Sequence, residues 1–182
     1  DMSVTSTSIS GISVTFNATA TDDIYVPSGP TCDPASGSIF PVATITVTCT
    51  ASDPIGNEGT ETFTVTVTEK LAPYTITDDA TGGDCQWIGT WDSGTKTCTL
   101  TTDITSTSNG IIIDNHDITL DGAGHTITGD GSNNYWGVDL STYGPDNVTI
   151  KNLTSKNFGI GIRTSSTDNI IITGNTLTNN AD

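Results

Sequence analysis

The chain of 182 residues carries 5 Lys plus Arg against 21 Asp plus Glu, a formal net charge of -16. That balance argues against nucleic acid as a partner, since a phosphate binder needs a basic stripe to release counterions, and it disfavours an anionic membrane surface. Hard cations such as Ca²⁺, or a saline medium, suit it better.

Only 14% of residues are charged, so the polar surface is mostly Thr, Ser, Asn and Gly. Thr favours strands, and Asn, Gly and Asp favour turns. No stretch shows sustained apolar spacing at i, i+3, i+4, so the expected class is all-β. No run is long enough for a membrane helix, which predicts no membrane insertion within this chain. No basic-then-apolar signal opens the chain, which starts at Asp1 rather than Met, as expected of a mature product or an excised segment.

In chain order, residues 1–70 read as short strands of period two. The runs MSVTS from Met2, ISVTFNATA from Ile12, ATITVTCTA from Ala43 and TFTVTVT from Thr62 alternate apolar residues with Thr or Ser. Alternation of this kind buries one face and wets the other, as in a two-sheet sandwich. Turn formers separate the runs, among them Asp22-Asp23, Ser36-Gly37 and Asp53-Pro-Ile-Gly-Asn57. The spacing predicts an immunoglobulin-like β-sandwich.

Residues 71–100 read as a linker or cap framed by Cys85 and Cys98, with Trp87 and Trp91 inside it. The two rings are expected to cover the open end of the next domain rather than to stack on sugar.

Residues 101–182 change period. Asp117-Ile-Thr-Leu-Asp-Gly, Asn147-Val-Thr-Ile-Lys-Asn and Asn169-Ile-Ile-Ile-Thr-Gly share a corner residue followed by a strand. The step from Asn147 to Asn169 is 169 − 147 = 22 residues, and Gly137 to Gly159 repeats it. The step from Asp117 to Asn147 is longer, 147 − 117 = 30, with an expected corner loop at residues 130–136 that carries Trp136. This is the signature of stacked β-coils, with Ile, Val and Leu inward and Asn laddering at the corners. The final coil reads as unfinished, which predicts a cover from more of the same protein or from another subunit.

The four cysteines, Cys32, Cys49, Cys85 and Cys98, allow three pairings. Chain order favours Cys32–Cys49 and Cys85–Cys98. No C-x-x-C and no neighbouring His points to zinc. Each bond would contribute about 3 kcal/mol in the chain-entropy model and persists only outside the reducing cytosol. Asn17, Asn147 and Asn152 open N-x-T glycosylation sequons. Disulfides and sequons together predict an extracellular, cell-surface location.

Two resemblances follow from particular residues. Residues 31–58, TCDPASGSIFPVATITVTCTASDPIGNE, resemble the hyalin repeat family, with its Cys, Pro-x-Ser-Gly-x-x-Phe-Pro and Thr-x-Val-x-Cys-x-Ala-x-Asp-x-x-Gly-Asn pattern; the likeness extends over residues 1–69. It implies an immunoglobulin-like spacer or adhesion unit, although the Pro-rich lead-in and first strand of the family are missing before Asp1. DITLDGAGHTITG, residues 117–129, resembles the right-handed parallel β-helix repeats of pectin-lyase-like proteins and of a periplasmic copper-protein maturation family. The expected fold is therefore an immunoglobulin-like β-sandwich followed by the start of a right-handed parallel β-helix.

The β-helix resemblance implies polysaccharide cleavage as one function and copper as one ligand. Asp114, Asp117, Asp121 and Asp139 are the carboxylates for the first, with Arg163 as the one arginine. Asp117 gives way to Asn147 and Asn169 at equivalent positions, so no carboxylate pair recurs, and the surface would repel a polyanion. His116, His125 and a single Met are a poor set for copper, and a turn hydrogen bond is the expected role of His125. Calcium fits better: Asp22, Asp23, Asp53, Asn57 and Glu58 lie in loops a sandwich can bring to one end, although such residues also simply form turns.

The expected function is a non-enzymatic structural or adhesive segment of a larger surface protein, with other surface-protein segments or copies of itself as partners, in a filament or lattice. The alternatives are a glycan-binding module using Trp87, Trp91 or Trp136, or a truncated polysaccharide-modifying enzyme.

Overall fold

The computed structural model describes residues 1–6, 10–22 and 29–181. They form two compact units, Asp1–Lys70 and Leu71–Asp182.

In the first unit, β1 (Met2–Ser6), β2 (Ile12–Ser13), β3 (Thr31–Asp33), β4 (Ile39–Phe40), β5 (Thr44–Ser52) and β6 (Glu58–Glu69) make two sheets, ordered β1-β6-β5-β3 and β2-β4. The spine is the β5–β6 hairpin, paired antiparallel from Thr44↔Thr66 to Ser52↔Glu58. Period-two alternation turns Val47, Cys49, Val65 and Val67 inward, where they bury together with Val14 and Phe40. Thr fills the outer face, and cross-strand hydroxyls meet there, Thr44 with Thr66 at 3.0 Å. β1 runs parallel to the second half of β6, Met2 opposite Val65.

The alternating run from Ile12 is shorter as a strand than its sequence predicts: Ile12 and Ser13 pair with Phe40 and Ile39, and Val14 adds backbone bonds to Ser38 C=O and Gly37 N–H. Its partner strand is clipped between the turn at Gly37 and Pro41. Beyond that point the Ser36 hydroxyl stands in for a strand, accepting from Phe16 N–H at 2.8 Å and donating to Phe16 C=O at 2.7 Å.

The second unit begins with β7 (Tyr74–Ile76), a one-turn helix α1 (Cys85–Ile88), β8 (Gly89–Asp92), β9 (Thr97–Leu100) and β10 (Ile104–Thr105). It continues with β11 (Ile111–Ile113), β12 (Thr119–Asp121), β13 (Thr126–Thr128), β14 (Trp136–Asp139), β15 (Thr149–Lys151), β16 (Thr154–Lys156), β17 (Ile160–Arg163), β18 (Ile171–Thr173) and β19 (Thr176–Thr178). Three sheets result, ordered β7-β11-β14-β17, β8-β9-β12-β15-β18 and β10-β13-β16-β19, and every pairing but β8–β9 is parallel. The chain visits the three sheets in the same order four times, so the unit is a stack of four rungs.

Inward side chains align in columns through the stack. Cys98, Leu120, Ile150 and Ile172 make one, Ile104, Ile127, Ser155 and Leu177 another, and Tyr74, Ile111, Val138 and Ile162 the third. Gly137 faces inward beside the buried Ser155, whose hydroxyl donates to Gly161 C=O at 3.0 Å; a Cβ at Gly137 would collide with that hydroxyl.

Two expectations change. Residues 71–100, expected as a linker or cap, belong to the coil unit itself: β7 and β9 pair with β11 and β12 and constitute the first rung. Gly137 and Gly159 are not equivalent either, because Val138 pairs with Ile162, which sets Gly137 opposite Gly161. Eleven residues separate Val138 from Thr149 but nine separate Ile162 from Ile171, so two extra residues in the corner after β14 shift that sheet's register. A repeat count across a corner loop reads loop length as register.

Candidate functional site

The polar side chains that sequence reasoning singled out fall in two places, a groove in the first unit and the corners of the coil stack. Each is built by local backbone demands.

A groove of about 620 Å³ in the first unit is lined on one side by the segment 17–22 with Pro30, and on the other by the loop end of the β5–β6 hairpin. It brings Asp22, Asp53, Asn57 and Glu58 to one place, along with Asn17 of the first sequon. Asp23 lies outside the described residues. Glu61 also lines the groove and was missed from sequence. Strand parity was the signal: Glu61 shares the inward side of β6 with Val65 and Val67 and stands opposite Cys49.

Asp53 is the brace of this loop. Its carboxylate accepts from Ile55 N–H at 3.0 Å, Asn57 N–H at 2.9 Å and the Asn57 amide at 2.7 Å. The Asn57 N–H, with the neighbouring donors, holds its pKa below the usual carboxylate range. Among the described residues, no three His, Cys, Asp or Glu side chains converge to hold a metal ion. The groove is thus an acidic concavity in which two of its polar residues secure each other.

Asn and Asp stack in register at the coil corners. Asp117, Asn147 and Asn169 each adopt left-handed backbone, φ 64°, 57° and 56°, a conformation Asn and Asp tolerate best among residues with a Cβ. Their side chains form a ladder: the Asn147 amide donates to Asp117 Oδ1 at 3.0 Å, and the Asn169 amide to Asn147 Oδ1 at 3.1 Å. A second corner repeats the device, Asn152 donating to Asp121 Oδ1 at 3.1 Å. Asn175 and Asn180 bridge rungs by both ends of the amide. Asn175 accepts from Leu153 N–H at 2.9 Å and donates to Ile150 C=O at 2.8 Å; Asn180 serves Phe158 N–H and Ser155 C=O in the same way. The sequon residues Asn147 and Asn152 are therefore rungs of ladders and Asn17 lines the groove; all three are exposed.

Three of the carboxylates weighed for catalysis, Asp117, Asp121 and Asp139, have separate structural tasks. Asp139 is fully buried and accepts from Ser141 N–H, the Ser141 hydroxyl at 2.6 Å and the Thr142 hydroxyl. The Asn147 amide, with help from Lys96, holds Asp117 below its ordinary pKa. Burial pushes Asp121 up, but the Ala123 N–H, the Asn152 amide and Lys151 together outweigh it and leave the group lowered. Burial alone raises Asp114. The two histidines occupy different corners. His125 Nδ1 lies 3.0 Å from Asp103 Oδ1, and His116 Nδ1 accepts from Asp146 N–H at 2.9 Å.

Trp87 and Trp91 pack against the buried cluster of the coil stack, and the Trp91 indole N–H donates to Asp79 C=O at 3.0 Å. Trp136 stands two rungs further along, with the Arg163 guanidinium 4.0 Å above its ring centroid. The three indoles thus form no shared platform. Both local cysteine pairs are joined. Cys32–Cys49 links cross-strand partners of β3 and β5, and Cys85–Cys98 ties α1 to β9 inside the first rung.

Fold and site together define an all-β, disulfide-bonded chain in which a sandwich unit is followed by parallel coils. Residues 3–67 match the family model of the HYR domain, an adhesion-type module of cell-surface proteins, so the first unit is similar to that module. No curated protein and no solved structure matches the chain.

Proposed function

We propose that the chain is a non-enzymatic structural segment of a larger extracellular surface protein. The sandwich acts as an adhesion-type spacer, and the coil stack, read as a right-handed parallel β-helix, as a stiff extension that meets neighbouring segments or further copies. The observation that carries this reading is the use of the polar residues. The corner carboxylates and amides are engaged in holding one rung to the next, which is the work of a scaffold. The HYR match over residues 3–67 and the two disulfides support the same compartment.

The experiment is labelling of intact source cells with a membrane-impermeant amine reagent. Labelling before lysis, with no free thiol in the recovered protein, is the expected result. Labelling only after lysis, or four free thiols, would overturn the reading. Incubation with acidic polysaccharides is expected to release no product; release abolished by Asp117→Asn would establish an enzyme instead.

Calcium belongs to this proposal as a ligand of the acidic groove. Thermal unfolding of the first unit in millimolar Ca²⁺ and in chelator tests it, and coincident curves would remove calcium from the account. Glycan binding would reside at Trp136, where Trp136→Ala should abolish sugar retention while leaving the melting temperature in place.

A further inference from the structure

Two histidines join rungs at the corners of the coil stack, and their hydrogen bonds require opposite tautomers. His116 accepts the Asp146 N–H on Nδ1 at 2.9 Å, so that nitrogen carries no proton and the ring's hydrogen lies on Nε2. His125 Nδ1 lies 3.0 Å from Asp103 Oδ1, an oxygen that also accepts the Thr126 N–H at 2.9 Å. The Thr126 N–H and then the His125 ring hold Asp103 below the usual carboxylate range. An ionised carboxylate only accepts, so the His125 nitrogen must donate. An imidazolium still makes the second bond. It cannot make the first.

Asp146 clasps three rungs. Its N–H goes to His116 and its C=O accepts from Asp117 N–H at 3.0 Å, both on the second rung, while its Oδ1 accepts from Asp168 N–H at 2.7 Å on the fourth. It also ends the corner loop of residues 141–146, whose other end is pinned by the Ser141 and Thr142 hydroxyls on Asp139. The charged groups around the His116 ring are Asp117 beside it in the chain, Asp146 with Oδ2 3.7 Å from Nδ1, and Lys96 of the first rung, which reaches Asp117 Oδ2 at 3.6 Å and Asp78 Oδ2 at 2.8 Å. A proton on Nδ1 therefore turns toward the Asp146 carboxylate and exchanges a bond to the main chain for one to the side chain.

We propose that His116 is an acid-operated latch on the corner loop of residues 141–146: the neutral ring fastens the Asp146 main chain to the second rung, and the protonated ring releases it. His125 is the fixed counterpart, holding the first rung to the second in either state. Acid thus loosens one corner of the stack and spares another, although both are built from a histidine beside an aspartate. The device depends on the tautomer of each ring and is independent of where the protein resides.

Long-range nitrogen–proton NMR of the imidazoles in the 182-residue chain reads the tautomers directly. At about pH 8 His116 should show an Nε2–H ring, and His125 an Nδ1–H ring or an imidazolium. Amide exchange then follows the latch. Between about pH 8 and about pH 5, the range in which histidines change charge, exchange at Asp146, corrected for the intrinsic rate at each pH, should speed up about fivefold, the loss of one net hydrogen bond. The Thr126 amide should keep its protection. His116→Asn puts an oxygen that does not titrate in place of Nδ1 and should hold Asp146 equally at both pH values, while His116→Phe should leave it fast at both. The ring is 60% exposed, so neither change opens a cavity. An Nδ1–H tautomer for His116 at pH 8 overturns the proposal. So does Asp146 protection that is unchanged once the spectra show the ring protonated, a pH response that survives in the Asn variant, or protection that the Phe variant retains.

Discussion

The two units draw on the same residues, Thr, Asn, Val and Ile, and stabilise their strands by different means. In the sandwich unit the key contacts lie across one long hairpin, β5 against β6, and among the described residues six buried apolar side chains form the core. The cross-strand Cys32–Cys49 bond strengthens that small core. In the coil unit each strand is only two to four residues long, and no strand is stable by itself. Stability there comes from stacking, with eighteen buried residues in one column-like core and amide ladders at the corners. A small sandwich relies on its staple, and a solenoid on its neighbours.

The sharpest test of that contrast is a cavity in the stack. Ile150→Ala, at the centre of the third rung, should cost about 2–5 kcal/mol in urea unfolding of the second unit and leave the first unit's transition in place. If both transitions move together, the units are one cooperative body and the comparison fails.

Next comes the staple. Replacing Cys32 and Cys49 by Ser should remove about 3 kcal/mol from the first unit alone. An unchanged first transition would show that the apolar core suffices without it.

Smaller is the effect of one corner amide. Asn175→Ala leaves Leu153 N–H and Ile150 C=O without their partners and should cost about 1–3 kcal/mol in the second unit. Asn175→Asp, which keeps the acceptor and loses the donor, should fall between Ala and wild type.

The smallest effects are electrostatic. Asp53 in the first unit and Asp79 in the second are both held below their ordinary 3.8 when folded, Asp53 by the Asn57 N–H and Asp79 by the Gly83 and Thr81 N–H groups. A lowered folded value means that their contribution is full above about the unfolded pKa and is lost as pH falls through the folded one. Both transitions should therefore weaken below about pH 4, and Asp79→Asn should remove part of that slope from the second unit only. Asp114 has the opposite sign, because burial raises it and its charge opposes folding at neutral pH. Asp114→Asn should raise the second unit's midpoint slightly at pH 7 and have no effect once the pH lies well below 3.8.

Much of this was legible in the residues. Val47, Cys49, Val65 and Val67 announce their inward face by alternation, and Asp117, Asn147 and Asn169 announce the corners, because few other residues sit comfortably in left-handed backbone. The local cysteine pairs were legible as well, since each closes a short loop. Less so was the candidate groove. Asp22, Asp53, Asn57 and Glu58 could be read as one loop end, and alternation puts Glu61 on the side of Val65 and Val67, but its place opposite Cys49 and beside the segment 17–22 appears only in the folded unit. The short helix α1 escaped detection because a single turn leaves no periodicity to read.

Local sequence thus determined the strand faces, the corner conformations and the period of 22 wherever the loops are minimal, because those depend on backbone preference and on side-chain alternation. Tertiary structure alone decided which rung neighbours which once a corner loop grows by two residues, since register answers to the column of buried side chains and not to the count along the chain. It also decided that residues 71–100, read as a linker or cap, supply a full rung. The partners of those strands lie more than twenty residues away, where no local pattern reaches.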